Sequence, residues 1–561
     1  MKNFVFKVMM KKNGRIFLLV CIHYSLFTIH SFAQETIRSE EVDIVKAYQP
    51  LLADAVKIQL HADPAPIDTT MQPLQYDVKE HVIELPFSPA EIRPIALPQT
   101  PPEPTQNNLI KAGFGTQLTP LIELYLGNGR SDKFNYGLSF HHVSSNPSKI
   151  DFQDVSHTGA AIFGRSYFKS TELSGEVNYD RQEHYFYGFP SYFVDSLELY
   201  DKDFLRQKFQ TTGVNVRLKN AKETKAGIDY DFNFNFHDFE RRAGDTMIHD
   251  VSENYYRFCA SLGKTILKIH SANLDFDFQK ENLKSNIDSS VSYFSIIPNY
   301  QYHSKKAALE LGVNVDVVNK EVKLYPELFA SYKLIGEYLI PYGGFHGGSN
   351  PNTMQQITSV NPFIGNFDSI VTTENIEVFG GIKGSYGNYI TYNVRVSYAD
   401  QKNVPFYLQD GRIPAHFIPF YYYEAKIISA HAEIGYRQSE RLNLILSGDA
   451  NTFNLDFSDK PWGIPQNKVS LAINYNLQNK ILFNVDLFAQ SGAYAYAIIP
   501  GDSVSTQLKG VVDVNFSTTY NYKKNLAFWF SLNNIASVKD RQWYNYPYYG
   551  FQALAGAILK F

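Results

Sequence analysis

Acidic residues in strict alternation are the first feature of this chain whose spacing could do chemistry. In "GIDYDFNFNFH", residues 227–237, Asp229 and Asp231 stand two apart. On a strand that spacing puts both carboxylates on one face, as a proton donor and acceptor sharing a substrate would need. His141 and His142 invite a metal reading. The aromatic runs "HYFYGFPSYF" (184–193), "FIPFYYY" (417–423) and "RQWYNYPYY" (541–549) offer rings that stack on sugars or other flat ligands.

Each feature has a plainer reading. Asp229 and Asp231 share their face with Asn233, Asn235 and His237, a set that wets a surface as a whole. Adjacent His side chains on a strand point to opposite sides, so His141 and His142 cannot close on one ion. The aromatic runs fit a girdle at the headgroup level of a membrane better than a ligand site. Trp462, in "SDKPWGIPQN", and Trp543 are the exceptions, since both stand in mid-loop. The ligand-contact candidates are therefore Tyr185, Tyr187, Trp462, Trp543 and Tyr544. There is no HExxH, GxSxG, Walker, dinucleotide-loop or CxxC pattern, so the chain reads as a non-enzyme with no catalytic residue, no metal set and no cofactor.

The elements that carry these residues follow a period of two. Ile228, Tyr230, Phe232, Phe234 and Phe236 fall opposite the polar set, and no amphipathic helix fits that. The pattern returns in "NLDFDFQ" from Asn273, "LELGVNVDV" from Leu309, "VSLAINYNL" from Val469 and "GVVDVNFSTTYNY" from Gly510. Most such segments run for about nine to thirteen residues, the length at which a tilted strand crosses a bilayer. Connections alternate between tight (220–225, 387–389, 478–480, 523–525) and long (182–207, 351–374, 404–416, 538–547). Turns on one rim and loops on the other, with apolar-out and polar-in strands between, predict an all-β, closed antiparallel transmembrane barrel over 106–561. Dividing the segment by strand-plus-connection gives about 22 strands, with 20 the next even count. A large soluble β-sandwich is the competing architecture, but its strands are usually shorter.

The start of the chain addresses the compartment. Lys2, Lys7, Lys11, Lys12 and Arg15 precede a mostly apolar run to Phe32, and Ser31 and Ala33 sit where a signal peptidase reads, so 1–33 is expected to be an export signal. Its removal takes five positive charges from a net of −4 and leaves −4 − 5 = −9. An acidic chain argues against nucleic acid as a partner. Only Cys259 then remains, so no internal disulfide forms. Tyr and Phe, 39 and 42 residues, dwarf 3 Trp and point to a membrane interface. Segment 34–105 is different in kind: "EEVDIVKAYQP" (40–50) reads as an isolated strand, and seven prolines between Pro86 and Pro104 make an extended periplasmic spacer.

Signal, short N-terminal strand, large barrel and a C-terminal "YGFQALAGAILKF" ending in Phe561 together resemble the TonB-dependent receptor superfamily, in its Bacteroidota form. The segment Glu41, Val42, Asp43, Ile44, Val45, Lys46 and Ala47 is similar to the box by which such receptors add a strand to TonB. The resemblance implies a bacterial outer-membrane location and a receptor or transport function for a small-molecule or oligomeric extracellular solute. It also implies outer-membrane lipid and a TonB-type energiser, or another periplasmic or outer-membrane protein, as partners. The chain departs from the pattern in one respect. About 70 residues are too few to fold the globular plug of those receptors. Inward loops and this short segment occlude the lumen, or it is partly open, or another protein fills it. The second reading is a non-transporting barrel subunit of an outer-membrane secretion or assembly complex.

Overall fold

The computed structural model describes residues 108–561, apart from 130, 191–200, 223, 225, 246, 287, 367–370, 457–459, 500, 539 and 540. Segments 1–33 and 34–105, with the Glu41–Ala47 box, lie outside the described residues. The wall is one 22-stranded sheet closed on itself, each strand antiparallel to its neighbours. The first strand, Leu109–Gly115, is bonded to the second, Thr119–Gly127, on one side and to the last, Gln552–Lys560, on the other. Closure leaves no unpaired edge, which a hydrocarbon surround requires. Because the count is even, both ends of the barrel finish on one rim, where Asn108 and Phe561 exchange backbone bonds of 3.1 and 3.0 Å.

That rim carries the tight connections, among them 267–269, 387–389, 478–480 and 524–525. Leu267 and Lys268, like Gln478 and Asn479, have φ between 53° and 61°. Two consecutive left-handed residues match the right-handed twist of the flanking strands. Exposed Tyr338, Tyr386, Tyr389, Tyr520 and Tyr522 cluster by these turns. An aromatic girdle therefore sits at the turn rim, whereas of the three long runs that the sequence reading assigned to it, Phe186, Tyr187, Phe417, Tyr422 and Trp543 pack into the loops. The opposite rim carries 186–205, 352–371, 403–424, 491–510 and 534–551. These connections have internal structure that strand periodicity does not forecast: hairpins pairing Val404–Gln409 with Phe417–Tyr422 and Tyr494–Ile499 with Asp502–Gln507, and a helix, Met354–Val360, started by a Thr353/Gln356 capping box.

The tallest strands show where the lipid ends. In the seventh, Ile228–Ala243, the outward row runs Ile228, Tyr230, Phe232, Phe234, Phe236 and then turns to Asp238, Glu240 and Arg242. The inward row does the reverse, from Asp229, Asp231, Asn233, Asn235 and His237 to Phe239 and Arg241, both buried. The eighth, ninth and tenth strands (Val251–Ile266, His270–Lys284, Ser289–His303) switch close to the same register row, Asp238, Asn254, Asn282 and Ser290, the ninth and tenth one step below it at Lys280 and Ser292. Val251 and Leu283 are buried inward residues above that row, and Val291 is buried one step below it. A strand of 16 residues, at about 3.4 Å rise and about 40° tilt, stands about 40 Å tall, against an apolar band of about 25 Å. The surplus rises beyond the bilayer on the loop rim, and there the wall obeys water-soluble rules: apolar inside, charged outside.

Candidate functional site

The inward apolar residues of this raised wall are the floor on which the long loops pack. Connection 186–205 leaves between the fifth and sixth strands and 403–424 between the fifteenth and sixteenth, ten places apart in a ring of 22. They stand on nearly opposite sides of the mouth, yet the rings of Phe186 and His416 lie 4.2 Å apart. Tyr546, from 534–551, stacks on Phe363, from 352–371, at 3.7 Å and 21°. Tyr187 meets Tyr546 edge-on at 4.7 Å, and Trp543 meets Tyr407 and Phe417 at 5.3 and 5.4 Å. Phe417 N–H donates to Phe363 O at 2.9 Å and Gly365 N–H to Phe417 O at 2.8 Å, so the loops are also stitched by backbone. The result is a cap with its own aromatic core, spanning the outer mouth of the barrel.

Polar side chains fasten the cap to the wall. The Arg241 guanidinium, 1% exposed, donates to Ile364 O at 3.2 Å, Gly365 O at 2.6 Å and His249 O at 2.8 Å. A charged donor on three loop carbonyls is stronger than its neutral counterpart. The Asn366 amide donates to Met247 O at 2.6 Å and accepts from His249 N–H at 3.0 Å. Met354 N–H donates to the Glu253 carboxylate, and Tyr546 Oη to Ala415 O at 2.6 Å. His416 and Asp245 face each other at 3.8 Å. Burial pushes the His416 pKa down to about 3, with Asp410 opposing and Arg241 and Arg412 assisting. Burial raises Asp245, against the Met247 N–H that stabilises its charge. Burial opposes the charged form of both groups, and His416 packs beside Asp245 as a neutral imidazole and not as its cationic partner.

Four of the five aromatic candidates, Tyr185, Tyr187, Trp543 and Tyr544, come together in this cap. Trp543 is only 3% exposed. Trp462 lies in an adjoining cluster with Phe406, Tyr422 and Leu455. The two clusters touch at Gly463, whose φ is +76° and where a Cβ would stand 2.5 Å from the Trp543 ring. A narrow crevice between them is lined by Tyr407, Gly463, Tyr494, Tyr496, Trp543 and Tyr544. Both Trp residues, read from sequence as standing in mid-loop, are loop-core residues. Asp229 and Asp231 do face the lumen, bonded to Asn220 and Arg217. His142 points outward to Thr158 Oγ1 at 2.8 Å, while His141 points inward. Among the described residues one trio, His141, His157 and Asp180, places metal-ligand atoms within 4.8 Å of one another, lower in the lumen. Sequence reading passed over Arg241, Phe363 and His416, and took Tyr546 only as part of the run 541–549. The switch of faces after His237 could have marked Arg241, whereas nothing local marks Phe363 or His416.

No family model and no curated protein matches the sequence. The fold does match solved structures. The FrpB iron transporter of Neisseria meningitidis superposes with a TM-score of 0.64 at 9% identity, covering 81% of this chain and 82% of that one. The siderophore receptor PirA of Acinetobacter baumannii gives 0.63 at 9%, over 81% and 80%. The ferric-catecholate import receptor Fiu of E. coli K12 gives 0.60 at 11%, over 81% and 82%. At such identities the shared property is architecture alone: the 22-stranded barrel of this chain superposes on the folds of these solved structures.

Proposed function

We propose that this chain is an outer-membrane receptor that admits an extracellular solute through its lumen. The loop cap is its outer gate, and Glu41–Ala47 is a periplasmic strand that pairs with a TonB-type energiser. The observation that carries the reading is the cap: loops from opposite sides of the wall meet over the mouth at Phe186 and His416. A passive pore has no need of such a closure, whereas a receptor has to open for one solute and shut behind it. The fold it shares with proteins described as an iron transporter and siderophore receptors supports the same view. The solute is of a class that aromatic loops can grip, and Tyr185, Tyr187, Trp462, Trp543 and Tyr544 are the residues that would touch it once the cap loosens.

A non-transporting subunit of an assembly or secretion complex is the second reading. It draws on one observation, that Trp543 and Trp462 are committed to packing and not exposed. A detergent pull-down of the mature protein, intact and lacking 35–105, separates the two. A receptor is expected to bring down a TonB-type energiser that the deletion loses. Other envelope proteins recovered in fixed ratio, with no energiser, would replace import with scaffolding.

A further inference from the structure

Below the cap, the third, fourth and fifth strands (Phe134–Ser145, Val155–Phe168, Thr171–Tyr185) turn His141, His157 and Asp180 into the lumen. His141 and Asp180 both lie opposite Gly159, and His157 is two residues from it on the same face. Gly159 is what lets them meet. A Cβ there would stand 2.2 Å from Cε1 of His141, so only glycine allows that imidazole to lie across the wall toward His157. Nε2 of His141 and Nε2 of His157 are 3.2 Å apart, and the latter is 2.5 Å from Oδ2 of Asp180. The rings cross at 72°.

Hydrogen bonding accounts for only part of this convergence. Nε2 of His157 faces both neighbours but carries at most one proton, which can lie on one line. A cation at the centre satisfies all three atoms together. An ion with four ligands at about 2.0–2.1 Å holds them about 3.3 Å apart, close to the 3.2 Å between the two imidazole nitrogens. The carboxylate, 2.5 Å from Nε2 of His157 and with all three ligand atoms within 4.8 Å of one another, has to move back from His157 to complete the set. Its other oxygen, Oδ1, already accepts from Gln182 Nε2 at 3.1 Å, the kind of outer partner that fixes a ligand's orientation. His157 and Asp180 are 25% and 33% exposed, so the fourth position opens to lumen water.

We infer that His141, His157 and Asp180 bind a divalent first-row transition ion of the zinc class. Two imidazoles with one carboxylate suit zinc, copper(II) or nickel, whereas calcium and magnesium favour all-oxygen sets. The bound ion staples three adjacent strands and sets a positive charge on the wall just beneath the cap. This assignment stands apart from whether the barrel imports anything.

The test is zinc alone, titrated by calorimetry into the mature protein in detergent, with metal content after dialysis read by mass spectrometry. Wild type is expected to hold one equivalent. His157→Ala, His141→Ala and Asp180→Asn are expected to lose it, and Gln182→Ala to weaken it roughly tenfold. His431→Ala removes a lumen histidine that bonds Asp449 at 2.7 Å in another part of the wall, and is expected to keep the full equivalent. Asp180→Asn preserves size, so a folding failure of the His variants cannot decide the result. Wild type holding no more zinc than Asp180→Asn, or His431→Ala losing as much as His157→Ala, would overturn the assignment. Excess magnesium displacing the zinc would overturn it equally.

Discussion

At the scale of single residues, His416 ties the cap to pH. An ordinary histidine titrates near 6.5, and burial holds this one at about 3. Between those values an opened cap takes up a proton that the closed cap refuses. Closure is therefore complete above about 6.5 and loses about 1.4 kcal/mol for each unit below it. Asp245 acts in the opposite sense. Its carboxyl is raised above the ordinary 3.8, so the closed cap retains its proton longer and closure weakens as pH climbs through that raised value. The aspartate thus offsets part of the histidine effect at the acid end. Hydrogen exchange of amides 410–417, corrected for intrinsic rate, is expected to quicken from pH 7 to pH 5 in wild type and to stay flat in His416→Gln. An unchanged slope in that variant would assign the titration to another group. Trp543 tests packing without charge. Removing a ring buried among Tyr407 and Phe417 should cost about 3–5 kcal/mol. Trp543→Ala is then expected to raise protease cleavage within the loops by two orders of magnitude or more, while the wall stays intact.

At the scale of elements, the inversion along the tall strands is a boundary that mutation can locate. Phe258 and Asn254 share the outward row of one strand, four residues apart, on either side of the switch. Phe258→Arg should cost about 2–4 kcal/mol and Asn254→Arg about 0–1, read as urea unfolding from lipid vesicles. Equal costs would put the lipid edge elsewhere. Much of this level was legible in the sequence. Alternation alone sorted Phe232 from Asn233, the rhythm of turns and loops assigned the rims, and chain length divided by repeat reached 22 strands. Even the inversion stands in the letters of Asp238 to Arg242, where the aromatic face turns charged. The loops were legible only as loops. Their hairpins and helix are held by partners such as Glu253 and Met354, 101 residues apart, and periodicity cannot report such contacts. Likewise His141 was judged against its chain neighbour His142. Its true companions, His157 and Asp180, arrive through the register of two further strands.

At the scale of the molecule, the open issue is what closes the lumen, and the structure makes it experimental. The cap has its own buried core and a polar clamp at Arg241, so it can seal the mouth without help from below. The sequence reading expects 34–105 to be too short for a globular plug. On that expectation we propose the cap as the principal barrier. Wild-type protein in planar bilayers is expected to show no steady large conductance. Replacing 405–421 with a short glycine-serine turn removes Phe417, His416 and Tyr407 together, and with them the contacts to Phe186 and Trp543. That variant is expected to conduct steadily, and deleting 35–105 as well should add little. If the loop variant stays closed and only the double deletion conducts, the N-terminal segment occupies the lumen. The gate would then have to be opened from the periplasmic side as well as from the outside. A barrel that conducts from the start would make the cap permeable and the protein a diffusion pore, because a seal that leaks ions at rest cannot hold a gradient of solute behind it.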